Sequence, residues 1–325
     1  MNLALNQFPV GDLNFPVLSV LVVLGLLALT GGGQLLMRGA VGISANLKID
    51  PLIVGLTVVS IATSTPEFFT ALIAAEAHPG LAMGNILGSN LANTGLILGI
   101  AALIVPLKVN LRLIRLEVPI LIFVTLIFGG LIFYKALDWG GGLLLLLITI
   151  GYLVFIVNKA RQENWSPPRN FPNVAIATFT AVVFVIIGSL LLASGADLLV
   201  QSSAEIAARF GVSDVFIGLT IMAIGTSLPE LAACIAAVRA GQGDLCAGNI
   251  VGSNLFNLLL IGGGTALIKG LPVEVEAVKM LYFATLLLTF SLFWFFRSEH
   301  TVSRREGGLL LFFYLAFLIL VASQQ

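Results

Sequence analysis

The sequence predicts an all-α polytopic membrane protein in which ten transmembrane helices form two inverted five-helix repeats. The 325-residue chain is 58% hydrophobic and only 10% charged, whereas soluble domains carry about 25% charged residues. Ten apolar segments are long enough to cross a bilayer, and two stretches of sequence occur twice. A chain with so few polar groups cannot cover a surface that faces water, so a lipid bilayer is its expected solvent.

Ten apolar segments supply the predicted helices, since about 20 apolar residues are needed to cross the hydrocarbon core. The segments are 17–37, 52–75, 81–104, 113–134, 139–158, 174–200, 215–238, 246–268, 277–296 and 307–323. The longest polar connection, 159–170, separates the fifth segment from the sixth. We therefore expect a first repeat at 1–160, a cytoplasmic linker at 161–172 and a second repeat at 173–325.

The basic residues are distributed unevenly between the loops on the two sides. Twelve of the 16 Lys and Arg residues lie in or beside loops of one side. Because cytoplasmic loops are enriched in Lys and Arg, this side should be cytoplasmic and both termini should lie outside. The first apolar segment should be retained as a helix, since no basic residue precedes it and further spans follow. The 16 acidic residues balance the basic ones, so nothing suggests a nucleic-acid partner.

Two segments of the first half recur in the second half. Gly55–Glu67 reads GLTVVSIATSTPE and Gly218–Glu230 reads GLTIMAIGTSLPE, at an offset of 163 residues. Gly84–Asn93 (GNILGSNLAN) matches Gly248–Asn257 (GNIVGSNLFN) after one added residue. Because each half has an odd number of helices, the second half must enter the membrane with opposite polarity, as in inverted-repeat transporters.

Each repeat carries one glutamate deep in an apolar helix, Glu67 and Glu230. An ionised carboxylate at a helix centre costs about 2.5–3.5 kcal/mol, so such residues indicate a functional site. Duplication for packing alone would conserve small residues at helix interfaces but gives no reason to duplicate a buried acid. We interpret the two glutamates as the centre of a cation site.

A proline precedes each glutamate, and hydroxyl residues lie one to two helical turns before it. Pro66 and Pro229 should break or kink their helices and expose backbone carbonyls to the site. The hydroxyls share a helical face with the glutamates. They are Ser60, Thr63 and Ser64 in the first repeat and Thr226 and Ser227 in the second. A hydroxyl of this kind can also bond its own backbone, and this reading stays open for any single one.

The second repeated segment adds amides. Ser89 and Asn93 are four residues apart, and Ser253 and Asn257 repeat that spacing. We expect both pairs to contribute oxygen ligands. Four further asparagines could either ligate the ion or join helices, and the sequence does not decide between these roles. They are Asn85, Asn90, Asn249 and Asn254.

The donor set is made of oxygens only, which is typical of a calcium site. No His or Cys is available at depth for a softer metal, because His78 and His300 lie in predicted loops. Two cysteines give no disulfide framework. We therefore expect Cys234 and Cys246 to be small buried residues with free thiols.

These motifs resemble the two alpha-repeats of the sodium/calcium exchanger family, within the cation/calcium exchanger superfamily of prokaryotic type. The resemblance covers essentially the whole chain. It implies a central calcium site, flanking sodium sites and alternating access by sliding of the first and sixth helices. It also implies Glu67 and Glu230 as calcium ligands shared with sodium, and backbone carbonyls near Ser60 and Ala223. The further ligands that it implies are Thr63, Ser64, Ser89, Asn93, Thr226, Ser227, Ser253 and Asn257.

The sequence departs from the family pattern at three places. Asn257 stands where relatives often have Asp, which leaves two carboxylates rather than three. Ala62 replaces the glycine of the first Gly-Thr-Ser motif. Gln34 stands where an acid is expected, whereas Asp197 retains the acid in the second repeat. The chain also has no large regulatory loop between its halves.

The expected function is sodium/calcium antiport by a transporter rather than an enzyme, with no cofactor and with calcium, sodium and the bilayer as partners. We expect a monomer in the inner membrane of a prokaryotic cell. Two carboxylates balance one Ca²⁺, and mutual repulsion would prevent Ca²⁺ and several Na⁺ from binding together. A calcium/proton antiporter using the same carboxylates is the main alternative. Potassium co-transport also remains open, while a channel or an intramembrane protease fits the repeats less well.

Overall fold

The computed structural model of the protein describes residues 13–77, 79–162, 165, 176–211, 223–272, 274–297 and 300–323. The described chain is almost entirely helical, which confirms the predicted all-α fold. The first repeat contains α1 (Phe15–Leu47), α2 (Pro51–Glu76), α3 (Pro79–Ile104), α4 (Leu113–Phe133) and α5 (Trp139–Gln162). The second contains α6 (Thr178–Arg209), α7 (Leu228–Arg239), α8 (Gly243–Lys269), α9 (Val275–Arg297) and α10 (Arg304–Ala322).

Eight of these helices are long and apolar enough to cross a membrane, namely all except α7 and α10. The N-terminal part of the predicted segment 215–238 lies outside the described residues. A short antiparallel pair of strands, β1 (Leu107–Lys108) and β2 (Thr301–Val302), joins the loop after α3 to the loop after α9. His300 lies in that second loop, where its carbonyl accepts from the Val109 N–H at 2.8 Å. His78 lies outside the described residues.

Helix ends follow ordinary capping chemistry. The Asn14 side chain accepts a hydrogen bond from the Val17 N–H, and a proline occupies the first turn of α1. Ser303 and Glu306 form a reciprocal capping box at the start of α10. Such caps satisfy the backbone N–H groups that a helix start leaves unpaired, so these boundaries are fixed locally.

The helices α1 and α6 are longer than the sequence analysis predicted. They contain 33 and 32 residues, or about 50 Å at 1.5 Å per residue. This length exceeds a hydrocarbon core of about 30 Å, so both must tilt or project beyond it. The hydropathy of the sequence predicted only the strongly apolar part of each helix, because the C-terminal turns of both helices are more polar.

The pair α1–α6 is packed through glycines in antiparallel register. A Cβ atom at Gly32 would lie 2.9 Å from the carbonyl oxygen of Gly188, and one at Gly195 would lie 3.0 Å from that of Gly25. The offset of 163 residues maps the first contact onto the second. The two contacts are thus images of each other under the pseudo-twofold relation between the repeats, as expected of inverted repeats.

The linker prediction concerns a region of which the structure describes little. The helix α5 continues to Gln162 and α6 begins at Thr178. Between them, 163–164 and 166–175 lie outside the described residues. The domain boundaries at 160 and 172 therefore stay a prediction.

One expectation about the cysteines is wrong. Cys234 in α7 and Cys246 in α8 are both fully buried, as predicted, but they form a disulfide rather than two free thiols. Consecutive antiparallel helices bring their Cα atoms to 4.6 Å, within the range that a disulfide needs. The number of residues between two cysteines does not reveal this approach, because it depends on where the helices turn.

Candidate ion-binding site

Glu67 and Glu230 meet at the centre of the molecule. Both side chains are 1% exposed, and their carboxyl groups lie within hydrogen-bonding reach of each other. Glu67 comes from α2 and Glu230 from the first turn of α7. The predicted meeting of the two acids across the repeats is therefore present in the structure.

Hydroxyl groups of the first repeat surround Glu230. Ser64 Oγ donates to Glu230 Oε1 at 3.1 Å, and the Thr63 hydroxyl is also within hydrogen-bonding reach of this carboxyl group. Thr63 Oγ1 lies 3.3 Å from Asn249 Oδ1. Ser60 is fully buried and opens the α-helical part of α2, and its carbonyl oxygen lies 3.4 Å from Thr63 Oγ1. The first repeat thus holds the acid of the second.

The two prolines act differently. In the second repeat the helix is interrupted at Thr226 and Ser227, between a short turn at Ala223–Gly225 and α7, as predicted. In the first repeat α2 runs through Pro66 without interruption, so of the two predicted outcomes, a break or a kink, the break does not occur there. The i+4 donor of the Ala62 carbonyl is still missing, since proline has no N–H. A π-helical turn at Gly55–Val59 precedes this region instead.

Matching π-helical turns begin at Asn93 in α3 and at Asn257 in α8. The turn of each repeat packs against the glutamate-bearing helix of the other repeat. Such turns are often found at functional sites because they displace backbone and side chains from the regular helix. Asn93 and Asn257 are both 1% exposed, so they lie beside the glutamates in the interior.

Seven of the predicted ligand residues share an unusual property. Among the residues that the structure describes, several of their buried polar atoms have no hydrogen-bond partner. These atoms are Glu67 Oε2, Glu230 Oε2, Ser89 Oγ, Ser227 Oγ, Ser253 Oγ and both amide atoms of Asn93 and Asn257. More than 90% of buried polar groups in proteins are hydrogen-bonded. A cluster of exceptions on equivalent residues of both repeats indicates groups that are kept available for a ligand.

The four ambiguous asparagines join helices. Asn85 Nδ2 donates to the Glu67 carbonyl at 3.1 Å, and Asn90 Nδ2 donates to the Asn254 carbonyl at 3.1 Å. Asn254 Nδ2 in turn donates to Thr94 Oγ1 at 2.8 Å. Together with the Thr63–Asn249 contact, these bonds favour the interhelical role that the sequence left open. Thr94 belongs to this network although the sequence analysis did not single it out.

A third intramembrane acid, Glu117 in α4, was also missed. Its Oε1 accepts from Arg112 Nε at 3.0 Å and its Oε2 accepts from Tyr152 at 2.9 Å. The side chain is fully buried. Both carboxylate oxygens have protein partners here, in contrast to Glu67 and Glu230. The sequence did contain a signal for this pair. Arg112 lies five residues before Glu117, and an acid inside a membrane is tolerated when a basic residue pairs with it.

The two equivalent positions at which the family resemblance implies an acid differ in burial from the glutamates. Gln34 and Asp197 are both exposed, and Asp197 Oδ1 accepts from Gln201 Nε2 at 2.7 Å. Thr226 is only half-buried. Among the described residues, no three or more His, Cys, Asp or Glu side chains come close enough together to hold a metal ion. The cluster therefore offers two carboxylates with neutral oxygen donors around them, a set that suits hard cations.

Comparison with known proteins agrees with this description. The chain matches the family described as sodium/calcium exchanger protein over residues 17–158 and again over 180–322. The two matches fall on the two predicted repeats.

Three relatives illustrate the similarity. The inner membrane protein YrbG of Escherichia coli is 36% identical over 267 residues, which cover 79% of this chain and 81% of YrbG. The sodium/calcium exchanger MaX1 of Methanosarcina acetivorans is 29% identical over 343 residues, covering 93% of this chain and 97% of MaX1. A structure of the sodium-calcium exchanger NCX_Mj soaked with Na⁺ and Ca²⁺ superposes with a TM-score of 0.77 at 30% identity, covering 95% of this chain and 99% of that one.

Proposed function

The chain belongs to the sodium/calcium exchanger family, and we propose that it exchanges sodium for calcium across the membrane by alternating access at the Glu67–Glu230 site. Family membership makes it a cation/calcium exchanger, that is, a transporter and an integral membrane protein. The coupling ion and the ligand residues are the parts of the proposal that need their own support.

The observation that carries the proposal is the set of buried oxygen atoms without protein partners on and around two neighbouring carboxyl groups. In the proposal, Ca²⁺ binds between Glu67 and Glu230. The neutral ligands are Thr63, Ser64, Ser89, Asn93, Thr226, Ser227, Ser253 and Asn257, with the backbone carbonyls near Ser60 and Ala223. This set holds more oxygens than the six to eight that Ca²⁺ takes, so the remaining ones are available for the flanking sodium sites.

The coupling follows from charge. Two carboxylates neutralise one Ca²⁺, and a buried site cannot hold several extra positive charges without strong repulsion. Sodium must therefore replace calcium rather than join it. The glycine contacts between α1 and α6 support movement of these helices as one unit, the sliding that the family resemblance implies. We place the protein in the inner membrane of a prokaryotic cell, acting as a monomer.

A calcium/proton exchange mode is the second candidate, and the contact between the two carboxyl groups favours it. Two buried carboxylates that lie close together repel each other, and a proton on one of them removes that repulsion, so protons can compete with cations for the site. The neutral oxygens distinguish the two modes, since Na⁺ needs them and a proton does not.

The test is radioactive calcium uptake into sodium-loaded proteoliposomes. Wild type should accumulate calcium when sodium is diluted outside, and Glu67→Gln and Glu230→Gln should each abolish this uptake. Glu76→Gln is the matched control, because Glu76 is an exposed acid at the end of α2 that pairs with Lys269 at 2.9 Å. Uptake driven equally well by a pH gradient without sodium would overturn sodium coupling. Retained exchange in both glutamine variants would overturn the site.

A further inference from the structure

A groove lies between the ends of α1, α2 and α5, on the side of the molecule that carries most of the basic residues. Its volume is about 810 Å³. The walls are apolar and include Ile43, Leu47, Val54, Val58, Leu153 and Val157. Leu47 and Val157 are 52% and 44% exposed, so the groove opens on the side of the helix bundle that faces the lipid.

The rim of the groove carries Lys48, Arg161 and Trp165. Lys48 follows the last residue of α1 in a left-handed conformation with φ of 54°, and Arg161 lies in the last turn of α5. Among the described residues, neither cation has a carboxylate within ion-pair distance. The nearby Asp50 caps α2, where its Oδ1 accepts from the Leu52 N–H at 2.8 Å. The described residues that line the groove thus include two cations and no acid, so its rim is positive.

From these features we infer that the groove binds a phospholipid with an anionic headgroup. An apolar groove that opens to the hydrocarbon takes up an acyl chain, and basic side chains with a tryptophan at its outer end match a negative headgroup at the interface. The proposal concerns a site separate from the Glu67–Glu230 cluster and does not depend on which ion is transported.

A second groove, at the opposite end of the molecule, differs from the first in the charges that line it. It has a volume of about 470 Å³ and is lined by Lys135 and Lys269 together with Asp138 and Glu274. Lys269 is also paired with Glu76. Mixed charge of this kind does not select an anionic headgroup, so selectivity should be confined to the first groove.

The experiment is native mass spectrometry of the purified full chain with dioleoyl phosphatidylglycerol and, separately, dioleoyl phosphatidylcholine. Wild type should retain the anionic lipid preferentially. The double variant Lys48→Asn, Arg161→Gln should weaken its retention about 30-fold. Each basic residue near an anionic lipid contributes about 1 kcal/mol, which corresponds to roughly a factor of five to six in affinity, and the two factors multiply. Equal retention of the two lipids by wild type would overturn the proposal.

The matched control is Lys135→Asn, Lys279→Gln, which removes the same charge at the opposite end. Lys135 has the same φ of 54° as Lys48, so the two asparagine substitutions have equal backbone demands. Loss of lipid in the control to the same extent would overturn the proposal.

A groove-filling change, Val157→Trp, should lower retention of both lipids, and undiminished retention would place the lipid elsewhere and overturn the proposal too. Unchanged unfolding temperatures confirm that each variant is folded.

Discussion

The hydroxyl of Ser64 in α2 donates a 3.1 Å hydrogen bond to Oε1 of Glu230 in α7, and this bond joins the two repeats at the proposed site. Neither repeat therefore forms the site alone. Glu230 Oε1 is held by the first repeat, while its Oε2 has no partner among the described residues. One oxygen is fixed in position and the other is left for a cation.

Ser64→Ala should weaken calcium binding without unfolding the protein. A hydrogen bond to a charged group contributes about 1.5–3 kcal/mol, so the calcium concentration for half-maximal uptake should rise about 10-fold or more. The measurement is calcium uptake against concentration in proteoliposomes. Thr65→Val is the control, because the exposed Thr65 hydroxyl bonds only to the Ile61 carbonyl at 2.7 Å. Equal shifts in both variants would contradict the assigned role of Ser64.

Asn257→Leu should abolish exchange while leaving stability unchanged or higher. Both amide atoms of Asn257 are buried without partners, so their removal costs no protein hydrogen bond and relieves a desolvation penalty. Calcium flux and thermal unfolding in detergent measure the two effects.

Asn254→Leu provides the contrast three residues away. Asn254 donates to Thr94 at 2.8 Å, so its loss should lower the free energy of unfolding by about 1–3 kcal/mol. A fall in stability in Asn257→Leu as large as that in Asn254→Leu would show that Asn257 is also a structural residue.

Repetition made the centre of the site predictable from the sequence. Glu67 and Glu230 occupy equivalent positions in antiparallel halves, and a pseudo-twofold axis brings equivalent deep residues together. The two prolines predicted a break or a kink in each repeat, and the second repeat is interrupted at Thr226 and Ser227. At Pro66 the helix α2 is not broken, because a missing donor in a membrane helix can be compensated by neighbouring packing.

Features that depend on relative placement of helices were not predictable. The Cys234–Cys246 disulfide depends on the depth at which α7 and α8 turn. The partners of Glu117 include Tyr152, 35 residues away in another helix, and no local pattern connects them. The π-helical turn at Asn257 arises from one extra residue per turn, which hydrophobic periodicity does not resolve.

Gly32→Ala should destabilise the pair α1–α6. The new Cβ would lie 2.9 Å from the Gly188 carbonyl oxygen, so the helices must separate, at a cost of about 1–3 kcal/mol. Thermal unfolding should show the loss, and exchange should slow if the two helices move as a unit. Gly31→Ala is the control, since no atom lies within 4 Å of its Cβ position. Equal behaviour of the two variants would contradict the close contact.

The disulfide predicts a specific labelling pattern. After unfolding without reductant, a thiol-alkylating reagent should modify neither Cys234 nor Cys246, and after reduction it should modify both. The double variant Cys234→Ala, Cys246→Ala should lose about 3 kcal/mol of stability, the effect of closing a loop of about 15 residues. Alkylation of both cysteines without prior reduction would show that the thiols are free in the purified protein.

Glu117→Gln should give the opposite result to Glu67→Gln. Removing this carboxylate deprives Arg112 and Tyr152 of a shared partner inside the membrane, which should cost about 3–5 kcal/mol of stability. The folded fraction should keep the calcium affinity of wild type, because Glu117 has both oxygens engaged by protein groups. Glu67→Gln should instead lose exchange and keep its stability.

The combined variant Arg112→Met, Glu117→Leu, Tyr152→Phe should recover most of the stability lost in Glu117→Gln, since replacing a whole buried polar group by apolar side chains is often neutral. Loss of calcium affinity in that combined variant would show that Glu117 acts on the ion as well as on the fold.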